Sequence, residues 1–278
     1  PVTAVRLATI NTARYFGLEK HGAVAPGYNA NLQVLDSFSA EKPSMVFKKG
    51  ELVAEDGQMI EKPRPKRDIY IRGSVNVKWL KKDDFKVPVE GDRVRVIEII
   101  PDQIITGSGF YKTPEVGGFL QSDTSRDLLK ICVIERHRAT GRIGKGILKG
   151  MGLKSGAIAT SVAHDSHNIV VTGVSDEDIF KASLAVIKMG GGIAVADKGE
   201  ILGTLPLPIA GLMSEMSVEK VDEVLARLLK VTKGLGALPR HPFFTLSFLC
   251  LPVIPELKIT DKGLVDTEKF EVVDLFYD

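Results

Sequence analysis

Most of what would place this chain in a specialised class is missing from it. Its 278 residues contain two cysteines, Cys132 and Cys250, far apart and each inside an apolar run. That excludes a disulfide framework and reads as two buried thiols in a reducing compartment. Neither sign of charge dominates, since 37 basic and 35 acidic side chains leave a formal +2. No electrostatic footprint for nucleic acid or an anionic membrane results, and neutral or small polar partners fit better. No apolar run has the length of a membrane span, and the opening Pro1-Val-Thr carries no basic signal-peptide region. The expectation is a cytoplasmic chain with no membrane partner.

Several chemical signatures are absent as well. There is no His-x-His metal pair and no Gly-x-Ser-x-Gly nucleophile elbow. The Cys and His spacings match no structural zinc site. The glycine run Gly141, Gly144, Gly146, Gly150, Gly152 and Gly156, with Lys145 and Lys154, lacks phosphate-loop spacing and reads as turns with close backbone approach.

What is present is an ordinary globular composition, 44% hydrophobic and 26% charged, without repeats or low-complexity tracts. Residues 4–16 put Val5, Ala8, Thr9, Thr12 and Phe16 at helical spacing, with Gly17 as the stop. Such a helix needs a surface to pack on. Strand-like runs follow at Leu32–Leu35, Met45–Phe47 and Leu52–Ala54, with a tight hairpin at Lys48–Glu51. The stretch 61–67 combines two prolines with charge, the composition of an exposed connector. Alternation at Val75–Trp79 and Val94–Ile100 predicts further strands, and Gly107–Gly109 and Gly117-Gly118 loosen the chain.

A second unit starts near Leu128. Strands are expected at Ile131–Glu135, Ala157–Ala163 and Ile169–Val174, with Gly141–Gly156 as a long connection. Ser175 offers an N-cap to a helix running to about Met189, with Ile179, Ser183, Val186 and Ile187 on one face. Ile193–Ala196 and Ile201–Leu205 form a hairpin, and Ser217 caps a helix striped by Val221, Val224, Leu225, Leu228 and Leu229. The tail Phe243–Pro255 reads as a buried apolar segment.

One cluster could carry chemistry. His164-Asp-Ser-His-Asn168 lies between two strong strands and offers His164 and His167 for proton transfer or metal, Asp165 to orient a ring, and Asn168 to pair with a heterocycle edge. An Asx-type polar turn with no function explains the same residues. Glu135 and His137, two apart in an expected strand, share a face and could meet this turn. They also suit a surface pair.

The strings Val133–Gly141, Lys154–Asn168, Leu205–Met213, Thr245–Leu249 and Leu251–Leu257 resemble the C-terminal domain of adenine deaminases, members of the amidohydrolase superfamily. The opening Thr9–Leu18 and Gly22–Asp36 resemble the stretch that follows the metal-binding barrel in that superfamily, with Ala30-Asn31-Leu32 where Ala-Asp-Leu is usual. The resemblance implies a mixed α/β fold, without the catalytic barrel: a last barrel helix and β-sandwich segment over 1–68, connecting strands and loops over 69–127, and an α/β domain over 128–278. It implies a purine-salvage hydrolase whose full form uses a divalent metal, manganese or iron, to turn adenine and water into hypoxanthine and ammonia. The metal ligands and catalytic base would then belong to a barrel segment upstream of Pro1, with no metal held by this chain and little activity from the chain alone. His164, Asp165, His167 and Asn168, with Glu135 and His137, become substrate-pocket candidates, and the barrel segment and a second copy of the chain become expected partners. Two rival readings stand beside this one: an independent metal hydrolase centred on His164 and His167, and a non-catalytic purine-binding or structural module.

Overall fold

The computed structural model describes residues 1–60 and 73–277, and the chain divides into two units, Pro1–Arg67 and Asp68–Asp278. The expected connector at 61–67 lies outside the described residues.

The first unit begins with a continuous helix. Helix α1 (Val2–Arg6) passes through a π-helical stretch, Leu7–Asn11, into α2 (Thr12–Tyr15). In that stretch Thr12 Oγ1 donates to the Leu7 carbonyl five residues back, at 2.5 Å. A β-branched hydroxyl bonding the backbone in this way accompanies a widened turn. Gly17, at φ +65°, ends the helix, and the Leu18 N–H returns to the Ala13 carbonyl. Strands β1 (Leu32–Val34), β2 (Met45–Lys48), β3 (Glu51–Glu55) and β4 (Gln58–Met59) then form an antiparallel meander. Lys49 and Gly50, at φ +54° and +87°, make the expected two-residue hairpin. The departure at Asn31 is structural: its Oδ1 accepts the Lys49 N–H at 2.9 Å and ties the start of β1 to that hairpin.

The second unit is built on a nine-stranded sheet. Its strands are β5 (Arg93–Ile99), β6 (Thr106–Lys112), β9 (Leu128–Ile134), β10 (Ile143–Lys149), β11 (Ala157–Thr160), β12 (Ile169–Gly173), β13 (Gly192–Asp197), β14 (Glu200–Pro206) and β18 (Phe276–Tyr277). Two short strands, β7 (Glu115–Val116) and β8 (Phe119–Leu120), pair separately, and β15 (Leu257–Thr260), β16 (Gly263–Asp266) and β17 (Glu271–Val273) form a small sheet. The large sheet runs β14-β13-β11-β12-β9-β10-β5-β18, with β6 on β5, and is antiparallel except between β10 and β5.

Both faces of this sheet are covered, which explains why β9 and β12 are buried at every position. Helix α3 (Asp176–Lys188) lays Ile179, Ala182 and Val186 against Ile134, Ala159 and Val171. Its N-terminus is fixed by Ser175, whose Oγ accepts the Asp178 N–H at 3.1 Å. On the other face α4 (Val218–Gly234), α5 (Pro242–Phe248) and the small sheet bring Leu228, Leu246 and Ile259 onto Ile131, Val133 and Val170. The fold is thus mixed α/β, and among the described residues no sheet closes into a barrel.

Several expectations need correction. Val75–Trp79 alternates but is not a strand: Asn76 exchanges single bonds with Arg136 and Ala139, no ladder forms, and Trp79 is exposed. Gly107–Gly109 does not loosen the chain; it lies inside β6 because Glu98 and Tyr111 occupy the space side chains would need, a Cβ on Gly109 falling 2.5 Å from Glu98 Oε1. The expected connection Gly141–Gly156 contains β10, whose Gly144 would put a Cβ 1.8 Å from the Thr260 carbonyl oxygen. Its glycines do serve close backbone approach, but within a strand. The tail is only half buried: Phe243, Leu246 and Cys250 face the core, whereas Phe244 and Val253 face solvent.

Candidate functional site

The register of β9 with β12 pairs Ile134 with Ile169. The loop leaving β9 and the turn entering β12 therefore emerge side by side at one end of the sheet. This brings Glu135 and His137 to the His164–Asn168 turn, although β9 ends at Ile134 and neither residue lies in a strand.

The six candidates then separate by what their polar atoms already do. Glu135 is buried and closes its own loop: Oε1 accepts the N–H groups of His137 and Arg138 at 2.5 and 2.8 Å, and Oε2 accepts the N–H and hydroxyl of Thr140, each at 2.9 Å. Burial alone would raise its carboxyl, but the N–H groups of Thr140, Arg138 and His137 outweigh it and hold the group at about 2. Asn168 is similarly committed. Its Oδ1 accepts the Arg136 N–H at 3.2 Å, and its Nδ2 donates to Asp261 at 3.2 Å. Arg142 donates to the other Asp261 oxygen at 2.7 Å. Nε2 of His137 donates to the Ser166 carbonyl at 2.7 Å and pins the turn from the side. These three residues brace the site.

His164, Asp165 and His167 remain open. His167 sits at φ +50°, its N–H bonded to the Ala163 carbonyl at 2.6 Å, and its ring meets His164 edge-on with centroids 5.7 Å apart. Its Nδ1 is buried and has no hydrogen-bond partner. Burial first, then the nearby His164 and Arg136, lower the His167 pKa and so favour the neutral imidazole. The His164 ring packs on Phe248 at 4.5 Å, and Asp165 is exposed.

Sequence reasoning missed the residue beneath the turn. Arg136 is 1% exposed and its guanidinium faces neutral oxygens: Nε donates to the His167 carbonyl, one terminal nitrogen to the Ser74 carbonyl at 3.1 Å and its hydroxyl at 3.5 Å, the other to the Ala210 carbonyl at 3.0 Å. Among the described residues it has no carboxylate partner. Gly211 is required here, because a Cβ would stand 2.8 Å from the guanidinium. The local signal was an arginine two positions after the apolar run Ile131–Ile134. Asp261 and Phe248 come from distant segments, and nothing local could have nominated them.

These residues do not fit a metal. Both Glu135 oxygens and the His137 Nε2 are spent on local bonds, and among the described residues no group of three or more His, Cys, Asp or Glu could hold an ion. Cys132 and Cys250 are free, buried thiols pushed up to about 12 by desolvation. Among the described residues no helix is long and apolar enough to cross a membrane.

Residues 1–53 match the amidohydrolase family, and residues 103–271 match the adenine deaminase C-terminal domain. The chain is 47% identical over 98% of its length to adenine deaminase 2 of Carboxydothermus hydrogenoformans, 48% identical over 99% to the adenine deaminase of Methanothrix thermoacetophila, and 42% identical over 98% to that of Bacillus pumilus. In each case it covers 48% of the relative, so the chain spans about half the length of the curated relatives it matches. On the strength of the match over most of the second unit, the chain belongs to the adenine deaminase C-terminal domain family.

Proposed function

We propose that this chain is the C-terminal half of a metal-dependent adenine deaminase, in which water bonds to C6 of adenine, the amino nitrogen leaves as ammonia, and hypoxanthine results. The metal, manganese or iron, belongs in this reading to the half of the relatives that the chain does not match. The observation that carries the proposal is coverage: high identity along nearly the whole chain, against about half of each relative. The exposed Val5, Leu7 and Phe16 of the first helix supply apolar surface for that preceding half or for a second copy of the chain.

Within this reading His164, Asp165 and His167 face the purine, while Glu135, His137 and Asn168 hold them. His167 is the first of them to test. An imidazole whose Nδ1 has no partner within the protein can exchange a hydrogen bond with a purine ring nitrogen, which a saturated structural turn could not.

The test joins the half of the Carboxydothermus relative that this chain does not match to Pro1, and measures ammonia released from adenine. The chimera should turn over adenine, and the chain alone should not. A folded, metal-loaded chimera without activity, or ordinary enzymatic activity from the chain alone, would overturn the proposal.

A further inference from the structure

The second unit carries a groove that the turn does not use. It encloses about 1060 Å³ between residues 99–106, the C-terminal part of α4, and α5. Ile104, Leu238 and Phe244 line it and are 42%, 71% and 57% exposed. Apolar surface left open in a concavity of this size is the usual mark of a binding site.

Its rim is predominantly cationic. Lys230, Lys233 and Arg240 line it with Asp102 as the single carboxylate among the lining residues. None of these three cations forms an ion pair among the described residues. Unpaired cations beside an exposed aromatic ring select a ligand with a flat apolar part and an anionic part.

The aromatic wall is also continuous with the turn. Phe244 packs on Phe248 with centroids 4.6 Å apart, and Phe248 packs on His164 at 4.5 Å. A ring stacked on Phe244 would adjoin Phe248, the ring on which His164 packs.

We propose that this groove binds a nucleoside phosphate, its base on Phe244 and its phosphate among Lys230, Lys233 and Arg240, and that occupancy is felt at His164 through Phe248. The proposal concerns binding by this chain and does not depend on the deaminase reading. Titration calorimetry of the chain with AMP tests it, with adenine and ribose 5-phosphate as the separated halves of the ligand. AMP should bind saturably and more tightly than either half. Phe244→Ala and the double substitution Lys230→Glu/Lys233→Glu should each weaken AMP by roughly tenfold or more, the loss of one stacking or charged contact. Phe244→Trp should keep affinity, which guards against a folding defect in the alanine variant. The His164 ring resonances should shift with AMP in the unsubstituted chain. Absence of saturable binding in the millimolar range, AMP affinity indifferent to both sets of substitutions, or AMP binding lost with His167→Ala but kept with Phe244→Ala would each overturn the proposal.

Discussion

The two units differ in what they bury. In residues 1–67 Ala13 is the one buried hydrophobic side chain among the described residues, while Val2, Leu7, Tyr15, Phe16, Val24 and Phe38 are all more than half exposed. In residues 68–278 three apolar clusters cover both faces of the large sheet. Secondary structure is present in both, so backbone hydrogen bonding does not separate them. The difference is a core. A helix and a four-stranded meander with solvent on their apolar sides have not gained the burial that offsets chain entropy, whereas the second unit has.

The largest expected contrast is in hydrogen exchange. Amides of β9 and β12 should exchange only on global unfolding, and those of β2 and β3 should be faster by roughly a thousandfold or more. Equal protection would remove the comparison.

Within the second unit, Gly144→Ala should cost about 3 kcal/mol or more, because the new Cβ meets the Thr260 carbonyl and the small sheet must move off β10. Chemical denaturation measures it. Glu135→Ala should cost about 3 kcal/mol by stranding three N–H groups and the Thr140 hydroxyl. Its acid profile follows from the depressed carboxyl. The stability Glu135 supplies is fully present above its ordinary 4.5 and is lost as pH falls from there toward about 2. Glu135→Gln should lack that acid-dependent component.

A smaller effect, with the same sign of pH dependence but the opposite sign on substitution, is expected at Lys258, which is fully buried, donates to the Ile104 carbonyl at 2.7 Å, and is pulled down to about 8 by desolvation. The folded state holds its proton less tightly than the unfolded chain, so stability should rise as pH climbs from about 8 to 10.5. Lys258→Met should lose that rise and gain about 1 kcal/mol at pH 7, relief of the buried charge exceeding the lost hydrogen bond. The smallest effect should be in the first unit: Phe16→Ser changes the stability of this chain by less than about 0.5 kcal/mol. In the chimera with the preceding half the same substitution should lower the melting temperature measurably.

The elements that sequence made legible are those whose signals are local. Ser175 and Ser217 cap their helices, Lys49-Gly50 and Lys198-Gly199 turn their hairpins, and the β11–β12 pair brackets its polar turn as alternation and turn chemistry require. The failures were glycines and isolated extended segments. Gly107, Gly109 and Gly144 read as breakers because what fills the space above them comes from Glu98, Tyr111 and Thr260 elsewhere in the chain. Val75–Trp79 alternates without a partner to pair with. At the site, sequence named the turn but could not divide its members. Whether an acid such as Glu135 is free or consumed depends on loop closure, and Arg136 and Phe248 reach the turn only through the tertiary fold.

That division, between side chains whose polar atoms are spent on bracing the turn and side chains whose polar atoms are not, is tested most directly by adenine turnover in the chimera carrying His167→Asn. The account predicts kcat/KM reduced about a hundredfold, the scale of a lost positioned proton-transfer or hydrogen-bonding group, with an unchanged melting temperature. Activity and melting temperature falling together, or activity untouched, would contradict it and make the whole turn structural.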